Sequence, residues 1–278
     1  MREPILLTAL AALLTLAAQA PAQTPDLSFS TIYSFKGPPG DGFNVRGGLT
    51  LGPGGVLYGT TAGGGAASFG TVFSLTPVAG GSWTETVLYS FPNMAAGASP
   101  QATVATGSNG VLYGTTQRGG ASGLGTIFAL KPPSSPGGAW THKVLYSFQG
   151  GNDGATPNAP VVIGSHGVLY GTTAGGGPAS SGTVYSLTPP VLPSNTWTES
   201  ILYAFTGGPD GAIPQSAVTL GTGGVLYGTT INGGNLCTPS LDGCGVVYSL
   251  TPPIVPLGAW TETVLYAFKG GTDGVLPY

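Results

Sequence analysis

The pentapeptide Leu-Tyr-Gly-Thr-Thr recurs four times in this chain, and this repeat limits the possible folds more than any other feature. The copies begin at Leu57, Leu112, Leu169 and Leu226, so they lie 55, 57 and 57 residues apart. A period of this length is typical of one supersecondary unit repeated in tandem, with a core shared between neighbouring copies. The sequence therefore predicts about four similar units.

A second motif, which begins Trp-Thr, recurs with the same period. Its tryptophans are Trp83, Trp140, Trp197 and Trp260, and the last spacing is longer because of an insertion near Cys237. The two motifs together divide the repeat domain, 31–278, into units at about 36–91, 92–148, 149–205 and 206–268, with a partial fifth unit at 269–278.

Each unit contains four strand-like runs separated by glycine and proline. A short run such as 216–220 leads through a turn such as Asn109-Gly110, which suits a hairpin with positive φ, into Val-Leu-Tyr-Gly-Thr-Thr. A third run follows, as in 71–76, and proline ends it because proline cannot donate to a β-ladder. The fourth run places Trp83, Val87, Tyr89 and Phe91 on one face of an alternating strand.

Four short antiparallel strands per unit predict an all-β, β-propeller-like fold of four-stranded blades. A parallel β-helix is the alternative. Residues 31–35 resemble the end of a fourth run, yet the fourth unit already has its own copy at 263–268. We therefore expect an incomplete, open propeller with exposed edges, and a chain that is part of a longer protein.

These repeats resemble a known family. The pattern Val-Leu-Tyr-Gly-Thr-Thr, Gly-Gly, Gly-Thr-Val-Phe-Ser-Leu-Thr-Pro, over residues 31–278, is similar to the repeat of the choice-of-anchor tandem repeat GloVer-containing proteins. The resemblance implies an exported, often surface-attached bacterial protein.

The N-terminus has the pattern of a signal peptide. Arg2 precedes an apolar stretch at 5–18, too short to span a bilayer, and Ala20-Pro21-Ala22 offers a cleavage site. We expect a signal peptide at 1–22 with cleavage after Ala22, a linker at 23–30, and a secreted or cell-surface product. An uncleaved membrane anchor is the alternative, and no later segment is apolar enough to span a membrane.

Charge is sparse, at 6% of all residues. Without the leader the chain keeps six basic and nine acidic residues, a net charge of −3. Because no basic patch exists, nucleic acid is not an expected partner.

One aspartate recurs in the loop after the fourth run. Gly-Gly-x-Asp-Gly contains Asp153, Asp210 and Asp273, and Asp41 lies in a looser copy. A calcium or ligand loop is one interpretation, but a single carboxylate falls far short of the six to eight oxygens that calcium requires. A turn stabilised by the aspartate is favoured, with glycine supplying positive φ.

Other ionisable residues do not form a catalytic set. Glu85, Glu199 and Glu262 each follow Trp-Thr, and His142 takes that position in the second unit. An acid/base pair must converge on one substrate, so copies in separate units are interpreted as solvated strand positions. His166 lies in a hairpin turn, and two scattered histidines cannot form a zinc site by themselves. We predict no catalytic residue, metal or cofactor.

The recurring tyrosines allow two interpretations. They could form an aromatic ring for sugar stacking, but packing between blades is favoured, since the glycine after each one lets a neighbouring ring approach. They are Tyr58, Tyr113, Tyr170 and Tyr227.

These observations predict a non-catalytic exported binding or scaffold module for an extracellular glycan or protein. The variable loops 62–69, 117–124 and 232–243 are expected to carry specificity. The alternative is a glycosidase or lyase on a propeller scaffold, with catalytic residues outside this sequence. Catalysis would require residues that depart from the repeat.

Cys237 and Cys244 are the only cysteines, and they flank the insertion in the fourth unit. In an exported chain two such cysteines are expected to form a disulfide. Free thiols or metal ligation are the alternatives.

This bridge can be tested by counting thiols in the denatured protein. We expect no reactive thiol before reduction and two after it, because both sulfurs are engaged in the bond. Two reactive thiols without reductant would contradict the disulfide.

Overall fold

The computed structural model describes residues 29–135, 137–234, 243–255 and 258–277. Residues Ile32–Tyr278 group into one compact unit. No α-helix occurs in the described ranges, so the all-β prediction is confirmed. In the same ranges, no helix has the length and hydropathy needed to cross a membrane.

Four antiparallel sheets of four strands each follow one another along the chain, and we call them blades 1 to 4. Blade 1 consists of Thr50–Leu51, Leu57–Thr61, Thr71–Pro77 and Trp83–Ser90. Blade 2 consists of Ala105–Thr106, Leu112–Thr116, Thr126–Lys131 and Thr141–Ser147. Blade 3 consists of Val162–Ile163, Leu169–Thr173, Thr183–Thr188 and Thr198–Ala204. Blade 4 consists of Thr219–Leu220, Leu226–Thr230, Val246–Thr251 and Thr261–Ala267. Each sheet falls within one repeat unit, and the prediction of four-stranded antiparallel blades is confirmed.

Short pairings connect the segment that enters a blade to the loop after that blade's second strand. Two of them are two-stranded sheets, Gly42–Phe43 with Gly63–Gly64 and Gly154–Ala155 with Gly175–Gly176. Single bridges replace them in the other blades, Ala98 with Arg118 and Ala212 with Asn232. Because the strands are antiparallel, both kinds of loop lie at the same end of the sheets.

The turn between the first and second strands has the predicted backbone geometry. Asn109 and Gly110 have φ of 56° and 71°, and the Val111 amide donates to the Ser108 carbonyl at 3.3 Å. Positive φ at both central residues is what a type I′ hairpin requires. His166 occupies the first of these positions with φ of 55°.

The single-turn 3-10 helices are Pro53–Gly55, Met94–Ala96, Ser108–Gly110, Ser165–Gly167, Thr222–Gly224 and Gly271–Asp273.

The glycine of the pentapeptide leaves room for an aromatic ring of the adjacent third strand. A Cβ atom at Gly114 would lie 2.5 Å from Cζ of Phe128, and one at Gly59 would lie 2.5 Å from Cζ of Phe73. Real Cβ atoms essentially never come this close, so the ring occupies the space that a side chain would need. Tyr185 and Tyr248 cover the corresponding glycines of blades 3 and 4.

The two threonines of the pentapeptide bond in different directions. The first crosses to the following blade, since the hydroxyl of Thr60 donates to the carbonyl of Ala102 at 2.9 Å. The second stays within its blade, where the hydroxyls of Thr61 and Thr71 lie 2.8 Å apart. Both kinds of bond recur in blades 2 and 3. The motif thus satisfies buried hydroxyls without using charge.

The prediction that the fourth strand alternates regularly is wrong. Val87 pairs with Phe73, but Tyr89 pairs with Val72, so Leu88 is an extra residue in a β-bulge. Residues paired across strands share a face of the sheet, so Val87 and Tyr89 face opposite sides. The bulge recurs in blades 2, 3 and 4, and it lets one strand pack against both neighbouring blades.

The hydrophobic core lies between blades. Phe91 of blade 1 meets Phe128 of blade 2 edge to face, with ring centroids 5.4 Å apart. Equivalent contacts are Phe35 with Phe73, Phe148 with Tyr185, and Phe205 with Tyr248. Phe35 therefore contacts blade 1 in the manner of a residue from a preceding blade.

The outer faces of the first and last blades stay open. Leu49 of blade 1 is 43% exposed, whereas Val104 and Val161, at the same repeat position, are 1% and 2% exposed. On the other side Leu265 is 52% exposed. The prediction of an open arrangement is confirmed for the described residues.

Replacing Gly114 with alanine should lower the free energy of unfolding by about 1–3 kcal/mol, because the new methyl group overlaps the Phe128 ring. Gly40→Ala is the matched control, since a Cβ there meets nothing within 4 Å. Urea unfolding of both variants measures the difference. Equal stability of the two variants would contradict this account of the glycine.

Candidate functional site

The recurring aspartates tie the end of one blade to the loop that follows it. Oδ2 of Asp153 accepts hydrogen bonds from the Tyr146 hydroxyl at 3.0 Å and from the Gln149 amide at 2.8 Å, and Oδ1 accepts from the Gly154 amide at 2.6 Å. Asp41, Asp210 and Asp273 accept equivalent bonds from Tyr33, Tyr203 and Tyr266. The tyrosine partner was missed in the sequence, although it lies seven or eight residues before each aspartate.

These bonds favour a structural role for the aspartates. Both oxygens of Asp153 already accept protein hydrogen bonds, so little capacity remains for a cation. In the described ranges, no three acidic, histidine or cysteine side chains group in a way that could hold a metal ion.

The glutamates after Trp-Thr are partly buried, so the prediction that they are solvated strand positions is wrong. Oε1 of Glu85, Glu199 and Glu262 is buried and has no hydrogen-bond partner in the described part of the chain. The reason is the packing of consecutive blades, because this face of the outer strand turns towards the preceding blade and away from water. Sequence alternation alone could not distinguish these two surroundings.

Burial and a neighbouring carboxylate change the titration of these glutamates. Burial, assisted by the charge of Asp41, raises the pKa of Glu85 to about 7. Burial and the charge of Asp153 raise the pKa of Glu199 to about 7. Burial and the charge of Asp210 raise the pKa of Glu262.

The second unit lacks both the loop aspartate and the glutamate of the other units. Its loop contains Asn93 in place of the aspartate, and Asn93 caps the following turn by accepting from the Ala96 amide at 3.0 Å. His142 replaces the glutamate and stacks on the Tyr89 ring, with centroids 4.4 Å apart and planes 5° apart. Burial lowers the pKa of His142 to about 4. The imidazole is therefore neutral near pH 7, where it serves as a packed ring.

A nearby carboxylate pair with one raised pKa could be taken for an acid and a base. Here Asp41 is bonded through both oxygens, and an oxygen of Glu85 is enclosed between blades. The pair also recurs at two further interfaces. At each of these interfaces the aspartate is held by protein hydrogen bonds, and a glutamate oxygen lies buried between the packed segments.

The recurring tyrosines pack against the recurring tryptophans of the next blade. Tyr58 meets Trp140 with ring centroids 6.3 Å apart, and Tyr113 meets Trp197 at 6.2 Å. Tyr170 and Trp260 belong to one cluster between blades 3 and 4. Tyr227 has no following blade in the described chain and is 41% exposed. Trp83, in blade 1, is half-buried. Three of the four tyrosines thus pack between blades against a tryptophan of the next blade.

The insertion of the fourth unit is only partly visible. Cys237 lies outside the described residues, as does most of the loop 232–243, together with the segment 1–28. Cys244 is buried, and its carbonyl accepts from the Leu276 amide at 3.0 Å. The disulfide and the signal peptide stay predictions.

A cavity of about 440 Å³ opens between the loops of blades 1 and 2. It brings together the variable loops 62–69 and 117–124, which the sequence suggested as carriers of specificity. A larger depression of about 510 Å³ lies between the outer strands of blades 2 and 3. A smaller one of about 330 Å³ lies on the open face of blade 4. The 440 Å³ cavity, which we call the loop pocket, differs from both because its side chains depart from the repeat.

Residues can be compared between blades because each entering segment contains one residue with φ between 54° and 63°, namely Asn44, Ser99, Thr156 and Ile213. Two positions after it, Arg46 lines the loop pocket. The other blades have shorter, uncharged side chains there, Gln101, Asn158 and Gln215. One position before it, Phe43 replaces Ala98, Ala155 and Ala212.

The loop after the second strand departs from the repeat in the same place. Arg118 lines the loop pocket, and the other blades have Gly63, Gly175 and Asn232 at this position. Gln117 precedes it where the others have Ala62, Ala174 and Ile231. Four larger side chains thus replace the repeat residues around one cavity.

Comparison with protein families identifies the family of this chain. A model of the Gloeobacter/Verrucomicrobia repeat matches residues 21–241 and 143–278, which together cover most of the sequence. The chain belongs to the Gloeobacter/Verrucomicrobia repeat family. The predicted resemblance to GloVer-containing proteins is thereby confirmed. No curated protein matches this member of the family.

Among solved structures, Trypanosoma rangeli sialidase matches with 14% identity and a TM-score of 0.44 over 80% of this chain. The chain spans 38% of the length of that protein.

Because the pKa of Glu199 is raised from 4.5 to about 7 on folding, the folded state holds the proton more tightly than the unfolded state. The stability that this proton contributes is present below pH 4.5 and is lost as pH rises to about 7. Glu199→Gln should therefore gain stability relative to the wild type between about pH 4 and about pH 8.

Urea unfolding of both proteins at the two pH values measures this effect. Lys143→Gln, which removes an exposed charge from an outer strand, is the control and should show no such gain. A constant difference between Glu199→Gln and the wild type at both pH values would contradict the buried position of this carboxyl.

Proposed function

We propose that this chain is a non-catalytic exported binding module whose ligand site is the loop pocket between blades 1 and 2. Export is supported by the N-terminal pattern of the sequence. The binding role is supported by the departure of the loop pocket from the repeat, since packing alone requires nothing different at this junction.

The architecture suits such a role. Four repeated blades provide a frame, and the loops that line the cavity lie at one end of the sheets, where a frame commonly presents binding residues. A cavity of about 440 Å³ lies within the range of small-ligand sites, large enough for one or two sugar rings. The two arginines are the only ionisable side chains that line this cavity among the described residues.

The experiment is a glycan-array screen of the full chain, followed by affinity measurement with any ligand found. Arg118→Gly restores the residue that blades 1 and 3 carry, so the fold should tolerate it while affinity falls roughly tenfold or more. Asn232→Gly makes the matching change in blade 4 and should leave affinity unchanged.

Thermal unfolding of both variants checks that the fold is retained. Equal affinity in Arg118→Gly and Asn232→Gly would place binding elsewhere. Turnover of a polysaccharide by the full chain would instead support the enzyme alternative and contradict a non-catalytic role.

A further inference from the structure

The charge of the loop pocket is unusual for this chain. Arg46 and Arg118 are the only two arginines in the described ranges, and both line the loop pocket. No acidic side chain lines it. In a chain with seven basic residues among 278, this convergence creates a local excess of positive charge that an anion would neutralise.

Hydrogen bonds among the lining residues occupy acceptors and leave donors. Arg46 donates through Nε to Oδ1 of Asn44 at 3.3 Å and through a terminal nitrogen to Oε1 of Gln101 at 3.1 Å. Gln101 in turn donates to Oε1 of Gln117 at 2.6 Å. The three amide oxygens therefore each accept a bond already.

The side-chain groups that remain are mostly N–H donors, together with the hydroxyls of Ser68 and Ser99, which can donate or accept. The amide nitrogens of Asn44 and Gln117 make no hydrogen bond within the described residues, and neither does the guanidinium of Arg118. A site whose remaining side-chain groups are mostly donors matches a ligand group that only accepts. Two guanidinium groups favour a carboxylate, whose two oxygens can accept paired bonds from one arginine.

One aromatic ring borders these donors. Phe43 lies directly over Gly63, where a Cβ atom would overlap the ring, yet 46% of Phe43 stays exposed. Gly63 thus supports the ring from one side and leaves the rest available for packing. An apolar surface next to a cluster of donors fits the C–H face of a sugar ring that carries a carboxylate.

We propose that the loop pocket binds a uronate residue of an acidic polysaccharide. Arg46 and Arg118 bind the carboxylate, and Phe43 packs against the sugar ring. This inference rests on the proposed function and adds the chemical class of the ligand.

The test is calorimetric titration of the full chain with an oligogalacturonate, its neutral methyl ester and a sulfated oligosaccharide. We expect binding of the oligogalacturonate and a loss of roughly 10- to 100-fold with the ester, which lacks the charged oxygens. Tighter binding of the sulfated sugar would overturn the uronate assignment. Equal binding of ester and acid would also overturn it, while leaving the proposed binding function in place.

Variants then locate the site. Arg118→Gln should lower affinity for the acid by roughly 10- to 100-fold, and Lys143→Gln, with the same loss of charge on an outer strand, should not. Phe43→Ala introduces the residue that blades 2 to 4 carry, so it should fold normally and bind several-fold more weakly. Unchanged affinity in Arg118→Gln would overturn the inference, and no binding of any of the three sugars would count against it as well.

Discussion

The rest of the structure depends on the joint between consecutive blades. Each joint places a phenylalanine at the end of one fourth strand edge to face against an aromatic ring on the next third strand, with centroids 5.1–5.4 Å apart. A buried aromatic ring of this kind contributes about 1.5–3 kcal/mol through removal from water, and correct geometry adds to it. The pentapeptide glycine makes room for one ring of each pair, and the bulged leucine lets the fourth strand pack against both neighbouring blades.

Much of the fold could be predicted from the sequence because the repeat reports directly on geometry. Copies of a glycine with an aromatic partner, or of Asn109-Gly110 in a turn, specify local backbone conformations that do not depend on distant residues. The bulge could not be predicted, since Leu88 has no local feature that distinguishes a bulge from regular strand. Its position becomes visible only in the pairing of Val87 and Tyr89 with adjacent residues of the third strand.

The surroundings of the glutamates could not be predicted for a related reason. Alternation places Glu85 on a face, but whether that face meets water or another blade depends on how units stack. The replacement of glutamate by His142 in the unit that also lacks the aspartate was a usable signal. In the structure His142 stacks on Tyr89 at that joint, and Asn93 bonds within its own loop.

The loop pocket was harder to predict, because its arginines belong to different units and come together only through blade packing. A position-by-position comparison of the copies could have found Phe43, Arg46 and Arg118, since each interrupts a run of small or uncharged residues. The predicted loops at 62–69 and 117–124 line part of the loop pocket and include Arg118, whereas Phe43 and Arg46 lie outside them. The repeated motifs thus predict the four blades, and the residues that depart from the repeat mark the proposed loop pocket.

The bonding between blades determines how the fold responds to the salt concentration around it. Threonine side chains and aromatic rings hold the blades together, and no ion pair occurs in the described ranges. Dissolved salt weakens attraction between opposite charges, and it has few such attractions to weaken in this frame. The folded frame should therefore tolerate large changes of salinity, whereas contacts made by Arg46 and Arg118 with an anion would be sensitive to them.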